Sequence, residues 1–279
     1  MKQSCDTYFY EIARKLGVDR LKKTATKFGL GEKVLQETFS NEKKGLIPNT
    51  QWKKDNLGKG WVIGETLITG IGQGYMQTTP LQLCLMTAQL ANGGYKIYPK
   101  IVVNENDETY EETKAFIKKN YNIKKELKDD LVESSEGLFS FIKDKKHEAL
   151  YENIENIKII QEAMFASTNE VRGTSYASRI EDPKYQFAGK TGTSQVKRIT
   201  EAQRELDLNT SEIPYDERDH ALYIAFGPYK KPRYALSIVI EHGGSGSSTA
   251  APLAKKLFKL IIDRHELREK VRNKKSVKI

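Results

Sequence analysis

One short run of polar residues interrupts an apolar strand pattern: Lys190, Thr191, Gly192 and Thr193 in YQFAGKTGTSQV. In a regular strand, Lys190 and Gly192 face one side and the two threonines face the other. A glycine inside a strand often marks a place where a ligand or another backbone approaches closely. An ammonium and two hydroxyls beside that gap suit a carboxylate, and a free N–H at a strand edge suits an oxyanion. The run predicts acyl transfer on a peptide ending in a carboxylate; the alternative is a surface strand with a glycine bulge.

A second polar cluster, Ser4-Cys5-Asp6, stands directly before a helical pattern near the other end of the chain. Ser-x-x-Lys, Ser-Asp-Asn and Lys-Thr-Gly together are the signature of penicillin-binding proteins and class A β-lactamases. Ser4 and Asp6 match the middle motif, with Asp6 where asparagine is usual. Taken alone, a serine and an aspartate before a helix equally indicate a helix cap.

Longer segments extend this match, and they follow one another in the order typical of one family. They are SCDTYFYEIARKLGVDRL, GIGQGYMQTTPLQL, ANGG, AGKTGTSQV, RDHALYIAFGPYKKPRYALSIVIEHGG and AAPLAKKLFKLI. Together they resemble the C-terminal transpeptidase domain of class B penicillin-binding proteins, most closely the elongation-type branch, penicillin-binding protein 2. The resemblance covers nearly the whole chain except about 104–150.

The resemblance implies catalytic roles for three residues. Ser4 would relay a proton between a catalytic lysine and the leaving or attacking amine. Lys190 would tune the electrostatics of that relay. Asp6 would help to orient this network and the substrate amide.

The remaining motif residues would bind substrate. Thr191 and Thr193 would hold the terminal carboxylate of a D-alanyl peptide or of a β-lactam. The backbone N–H of Thr193 would supply half of the oxyanion hole, and Gly192 would keep the cleft open to the substrate backbone.

The resemblance further implies peptidoglycan D,D-transpeptidation. A serine attacks the D-Ala–D-Ala bond, D-alanine leaves, and an amine of a neighbouring stem peptide takes the acyl group. It implies no metal or organic cofactor. The implied partners are peptidoglycan stem peptides, β-lactams, a RodA-type glycosyltransferase and other elongation-complex proteins, at the periplasmic face of the inner membrane.

The acylating serine is harder to find. Family order places Ser-x-x-Lys before Ser4, whereas the pattern occurs at Ser40, Ser140 and Ser194. Such a serine needs the start of a buried helix with a desolvated lysine one turn on, and none of the three contexts suits this. We therefore expect a partial, N-terminally incomplete transpeptidase domain over 1–279 without its nucleophile. It would be a portion of a longer enzyme, a non-catalytic cell-wall peptide-binding fragment, or the remnant of a split gene.

The elements that would position these residues follow from periodicity and punctuation. Residues 7–28 predict two short helices broken at Gly17, and 29–60 predicts a loop region. Thr79 and Pro80 begin a helix that Asn92-Gly93-Gly94 ends. The pattern then predicts a strand at 96–103, a charged insertion at about 104–150 and a helix over 151–171.

The final third predicts an edge strand at 185–196, a hairpin of two strands, an amphipathic helix after the loop 243–248 and a frayed basic tail from about 270. The fold class is therefore α+β: an antiparallel sheet flanked by helices, with the penicillin-binding-protein/β-lactamase-like transpeptidase fold implied by the resemblance.

Composition narrows the other possibilities. The net charge of +9 is spread through mixed-charge segments, which indicates a solvated surface and no nucleic-acid partner. Two cysteines and four scattered histidines predict neither a disulfide framework nor a metal site. The sequence contains no signal peptide pattern and no apolar run long enough to span a membrane.

Two other enzyme classes find weak support. A Ser-His-Asp hydrolase could use His220 or His242, but G-x-S-x-G is absent. A nucleotide site could use Gly70, Gly72 and Gly74, but the last glycine of GxGxxG is missing, so these are interpreted as loop glycines.

Overall fold

The computed structural model describes residues 1–35, 39–99, 148–196, 210 and 212–276, with side chains described as far as residue 267. Almost all of the predicted insertion at 104–150 lies outside these residues. Within them the chain forms seven α-helices and three strands. In chain order these are α1 (Asp6–Leu16), α2 (Val18–Lys27), α3 (Thr50–Leu57), α4 (Ile63–Gly70), α5 (Pro80–Ala91), α6 (Ile154–Asn169), β1 (Ala188–Ser194), β2 (His220–Gly227), β3 (Tyr234–Ile240) and α7 (Ala251–Ser276).

The first two helices confirm the predicted break. Gly17 separates them with φ +78°, a left-handed value that favours glycine, and its N–H closes α1 on the carbonyl of Ala13 at 2.8 Å. Ala13 is buried against α4, where a Cβ on Gly70 would lie 2.3 Å from the Cβ of Ala13. Because Gly70 has no side chain, α4 packs closely against α1, the helix that directly follows Ser4.

Helix α5 begins where predicted. The Thr79 hydroxyl accepts from the N–H of Gln82, and the Gln82 side chain returns a bond to the N–H of Thr79, a capping box. The buried Gln82 amide also donates to the carbonyls of Glu32 at 2.6 Å and Lys44 at 2.9 Å. It thereby ties the irregular segment before α3 to the core.

The predicted loop at 29–60 is wrong over Thr50–Leu57, where the structure has α3. Asn49 caps this helix by accepting from the N–H of Trp52 at 3.0 Å, and Gly58 ends it in the left-handed conformation. Both signals are visible in the sequence. The helix lacks an apolar stripe, which is the signal on which the prediction relied.

The predicted strand at 96–103 is also wrong where it is described. Residues 96–99 are irregular, and residues 100–103 lie outside the described part. Tyr95 forms one isolated bridge with Ala149. The N–H of Ile97 donates to the buried side chain of Gln89 at 3.1 Å, so a side chain takes the place of a neighbouring strand.

The three strands form an antiparallel sheet in the order β1-β2-β3. Strand β1 pairs with β2 from Ala188 opposite Phe226 to Ser194 opposite His220, and β2 pairs with β3 as the predicted hairpin. Among the described strands β1 is therefore an edge, as predicted. The Lys190 side chain of this strand contacts Ser4 in the N-terminal segment.

Helices cover both faces of the sheet, which confirms the predicted architecture. On one face Ala254 and Phe258 of α7 pack against Phe187 and Tyr223. On the other face α5 and α6 pack against Ala188 and Phe226, with Leu90 and Met164 in the core. Strand β1 is consequently held between α6 and β2, and its last residues remain exposed.

The last helix is longer than predicted. A π-helical turn over Gly246–Ala250 leads into α7, and the helical backbone continues to Ser276. The predicted frayed tail from about 270 is thus wrong as far as Ser276. The segment consists largely of good helix formers, with no glycine or proline to end the helix.

Candidate active site

Ser4 and Lys190, which are 186 residues apart, contact one another. The Lys190 ammonium donates to the hydroxyl of Ser4 and, at 2.7 Å, to the carbonyl of Thr191. Ser4 has φ +49°, a left-handed backbone conformation. This conformation is unfavourable for any residue that has a Cβ atom. Such strain often accompanies functional sites. Here it turns the chain just before α1 and leaves the serine hydroxyl facing Lys190.

The environment of Lys190 weakens its hold on a proton. Burial lowers the pKa of the Lys190 ammonium from the ordinary lysine value, and the negative charge of Asp6 opposes this shift in part. Asp6 itself is exposed in the first turn of α1. The structure therefore brings Asp6 within electrostatic range of Lys190 and places Ser4 in direct contact with it.

The Thr191 side chain contacts Thr174, a residue that the sequence analysis did not identify. Its hydroxyl donates to Thr174 Oγ1 at 3.1 Å, and Thr174 Oγ1 lies 3.0 Å from the hydroxyl of Ser167 on α6. Lys190 Nζ lies 3.4 Å from Thr191 Oγ1, so lysine and threonine meet although strand alternation assigns them to opposite faces. The only sequence signal for Thr174 is the small polar run GTS after α6.

The edge of β1 that faces away from β2 is polar. The side-chain amide of Gln73 donates to the carbonyl of Thr193 across that edge at 2.9 Å. In an antiparallel pair, the N–H and C=O of one residue point to the same side. The N–H of Thr193 therefore also points away from β2, in the position that an oxyanion donor needs. Gln73 belongs to the same loop as Gly72 and Gly74.

Gly192 has limited free space on its own face. A Cβ there would lie 3.3 Å from the Cβ of Leu222, its partner on β2. The stronger constraint is at Gly246, because a Cβ there would lie 2.5 Å from the carbonyl oxygen of Gly192 and 2.4 Å from that of Leu222. The turn before α7 is thus packed directly on the backbone of β1 at the candidate site.

The Ser-x-x-Lys matches do not meet the requirements for a nucleophile where they are described. Ser40 and Lys43 are exposed in an irregular segment, and Ser194 is exposed at the end of β1. Neither serine begins a helix. Ser140 lies outside the described residues, as does the lysine that follows Ser194.

The two histidines considered for a hydrolase bind backbone groups. His220 Nδ1 accepts from the N–H of His242 at 2.9 Å, and His242 Nδ1 lies 3.1 Å from the carbonyl of Arg218. These contacts fix the ends of β2 and β3 and indicate a structural role. Gly72 and Gly74 have φ +81° and +77°, which agrees with their interpretation as loop glycines.

The described residues contain no cluster of three or more His, Cys, Asp or Glu side chains that could hold a metal ion. Across the same residues, no helix combines the length and apolar character needed to cross a bilayer.

Comparison with known proteins gives consistent matches. Residues 1–259 match the family described as the penicillin binding protein transpeptidase domain. The Salmonella typhimurium peptidoglycan D,D-transpeptidase MrdA is 32% identical over 263 residues, which is 94% of this chain and 37% of that protein. The chain therefore spans well under half the length of this relative.

Solved structures agree with the sequence matches. A Helicobacter pylori penicillin-binding protein 2, in complex with MreC, superposes with a TM-score of 0.66 at 27% identity and covers 95% of this chain and 39% of its own. Pseudomonas aeruginosa penicillin-binding protein 2, in complex with WCK 5153, gives 0.63 at 31% identity, covering 91% and 46%. These matches confirm the transpeptidase fold that the sequence segments implied.

Proposed function

Because the chain belongs to the penicillin-binding protein transpeptidase family, we propose that it supplies the carboxylate-binding and proton-relay part of a peptidoglycan D,D-transpeptidase site. The contact of Lys190 with Ser4, beside the outward-facing edge of β1, carries this proposal. The Lys190 ammonium and the Ser4 hydroxyl are in contact, and Lys190 lies on the strand whose edge presents the Thr193 N–H.

Each group has a definite task in the proposed reaction. Thr191 and Thr193 donate to the terminal carboxylate of a D-alanyl peptide or a β-lactam, with the Lys190 ammonium close by. The N–H of Thr193 donates to the carbonyl oxygen of the scissile bond as it becomes an oxyanion. Ser4 passes a proton towards the leaving D-alanine amine and later takes one from the attacking amine. Asp6 supports this network through its charge.

We propose that this chain does not itself carry the acylating serine and its lysine. The described Ser-x-x-Lys serines, Ser40 and Ser194, are exposed and do not begin helices. On this proposal the chain alone binds peptide non-covalently, and acylation needs the missing pair. Fluorescent penicillin tests the assignment, because a covalently labelled band from this chain alone would contradict it.

The relatives suggest the setting in which the site works. Helicobacter pylori penicillin-binding protein 2 forms a complex with MreC, and another match comes from a peptidoglycan synthase complex that coordinates polymerization and crosslinking. We propose that this protein acts with an MreC-like partner and a RodA-type glycosyltransferase, at the periplasmic face of the inner membrane, in cell-wall synthesis that sets cell shape.

Calorimetry with a matched pair of ligands tests the binding role. The ligands are diacetyl-L-lysyl-D-alanyl-D-alanine and its C-terminal amide, which differ only in the charge at the end. We expect the carboxylate form to bind more tightly. Thr191→Val should weaken it about tenfold or more, the weight of one hydrogen bond to a charged group. Thr87→Val is the control, since its buried hydroxyl bonds only within α5. Equal binding of acid and amide by the unaltered chain would refute the proposal.

A further inference from the structure

A cluster of hydroxyl groups lies behind Thr191, and the proposed mechanism leaves it without a role. We define this hydroxyl cluster as Ser167, Thr168, Thr174, Ser175 and Tyr223. All of its members except Thr174 are essentially fully buried. Tyr223 OH lies 2.9 Å from Thr168 Oγ1 and 3.0 Å from Ser175 Oγ. Buried polar networks of this kind are rigid when every member is satisfied.

Thr174 is the member that connects the cluster to the site. Its hydroxyl lies between those of Thr191 at 3.1 Å and Ser167 at 3.0 Å. Its backbone N–H donates to the carbonyl of Lys2 at 3.2 Å, two residues before Ser4. Thr174 thus joins three elements of the site: the segment of Ser4, helix α6 and strand β1.

The backbone around Thr174 leaves it little freedom. A Cβ on Gly173 would lie 2.3 Å from the carbonyl oxygen of Ser167, so this turn lies directly against the end of α6. The N–H and the hydroxyl of Ser175 both donate to that same carbonyl, at 3.0 and 3.1 Å. Thr174 is therefore held from both sides, and its hydroxyl is confined to the space beside Thr191.

The number of hydroxyl protons limits the hydrogen bonds that Thr191 and Thr174 can form. A hydroxyl has one proton to donate and two lone pairs that accept. In the free site Thr191 donates its proton to Thr174, so that proton is not available to a ligand. A carboxylate at the edge of β1 requires Thr191 to turn its proton outwards. Thr191 Oγ1 can then accept from Thr174 at 3.1 Å, a closer neighbour than the Lys190 ammonium at 3.4 Å, if Thr174 reverses its own hydroxyl.

We propose that Thr174 is a positioning residue for carboxylate recognition, acting through a reversible chain of hydroxyls. With a carboxylate bound, Ser167 donates to Thr174, Thr174 donates to Thr191, and Thr191 donates to the ligand. Each oxygen keeps its own proton, and only the directions of the bonds reverse. The inference rests on the proposed function, because it takes the carboxylate of a D-alanyl peptide as the ligand.

Two variants of the 279-residue chain isolate this role. Thr174→Val removes the hydroxyl and keeps the shape, whereas Thr174→Ser keeps the hydroxyl. Thr87→Val is again the control for loss of a buried hydroxyl. The first measurement is the rotamer of Thr191, from three-bond couplings of its 13C-labelled methyl group in the absence of peptide. The second is the ratio of affinities for diacetyl-L-lysyl-D-alanyl-D-alanine and its C-terminal amide.

We expect one Thr191 rotamer in the unaltered chain, in the Thr174→Ser variant and in the control, and averaged rotamers in Thr174→Val. The preference for acid over amide should fall about fivefold in Thr174→Val alone, as expected for one intramolecular hydrogen bond. A single Thr191 rotamer in Thr174→Val would overturn the inference, and so would an unchanged preference. If rotamers average as expected but the unaltered chain shows no preference, the proposed function fails while the hold of Thr174 on Thr191 stands.

Discussion

The close packing of Gly246 on β1 makes a strong prediction for Gly246→Ala. The new Cβ would lie 2.4 Å from the carbonyl oxygen of Leu222 and 2.5 Å from that of Gly192. Carbon–oxygen contacts normally begin at about 3.3 Å, so the turn must move by roughly 0.8 Å or more. Both obstacles are backbone atoms of paired strands, which cannot rotate away as a side chain can.

The expected cost is at the upper end of the range for overpacking, about 3 kcal/mol of unfolding free energy. For a chain of this size that lowers the melting temperature by roughly 6–12 °C. Displacing the turn also disturbs Gly192 and its neighbours on β1. We therefore expect Gly246→Ala to reduce the affinity for diacetyl-L-lysyl-D-alanyl-D-alanine as well as stability.

Two other glycines provide matched controls for the same chemical change. A Cβ on Gly60 or Gly64 meets nothing within 4 Å. Gly64→Ala, in the first turn of α4, should raise the unfolding free energy by about 0.5 kcal/mol, and Gly60→Ala should change it little. Differential scanning calorimetry of the three variants gives the comparison. If Gly246→Ala melts with the controls, the packing of this turn on β1 is wrong.

Three further variants test the core and the charges. Tyr223→Phe removes the hydroxyl shared by Thr168 and Ser175 and should cost about 1–3 kcal/mol in urea unfolding; a neutral effect would contradict the cluster. Burial lowers the pKa of Lys190, so the unfolded chain binds more protons below the ordinary lysine pKa, and stability rises with pH through that window. Lys190→Met should flatten this rise in the pH range below the ordinary lysine pKa, and an unchanged slope would count against the burial. Burial opposes ionisation of Glu65, but the buried Lys53, the N–H of Val62 and Tyr75 together keep the pKa of Glu65 below its ordinary value. The stability from this pair is present above the unfolded pKa of Glu65 and is lost as the pH falls through the folded pKa. Glu65→Gln should therefore lower the unfolding free energy by about 3–5 kcal/mol at pH 7, and the variant should lose less stability than the unaltered chain on acidification. An equal loss on acidification would contradict the pairing.

Local signals predicted the elements that carry the site. Thr79 and Pro80 identified the start of α5, Gly17 identified the break between α1 and α2, and the alternating pattern identified β1 as a strand. These signals act over a few residues, so a sequence displays them directly. The family segments added the meeting of Ser4 with Lys190, which no local pattern could indicate.

Other parts of the site depend on contacts between distant segments. Gln73 reaches the Thr193 carbonyl across 120 positions, and Thr174 reaches Thr191 from a turn held by α6. Neither has a signature of its own, because a glutamine in a loop and a threonine after a helix are common. The strand predicted at 96–103 is wrong over its described residues for a related reason: the N–H of Ile97 donates to the buried side chain of Gln89 and not to a neighbouring strand.

The most direct test of the account follows the backbone amides of β1 by 15N NMR during titration with diacetyl-L-lysyl-D-alanyl-D-alanine. Thr193 directs its N–H to the edge facing away from β2, whereas Gly192, opposite Leu222, directs its N–H towards β2. The account predicts that the Thr193 amide shifts most strongly and the Gly192 amide much less, and that the C-terminal amide of the peptide needs a higher concentration to produce the same shift. Binding of the peptide without movement of the Thr193 resonance would contradict it.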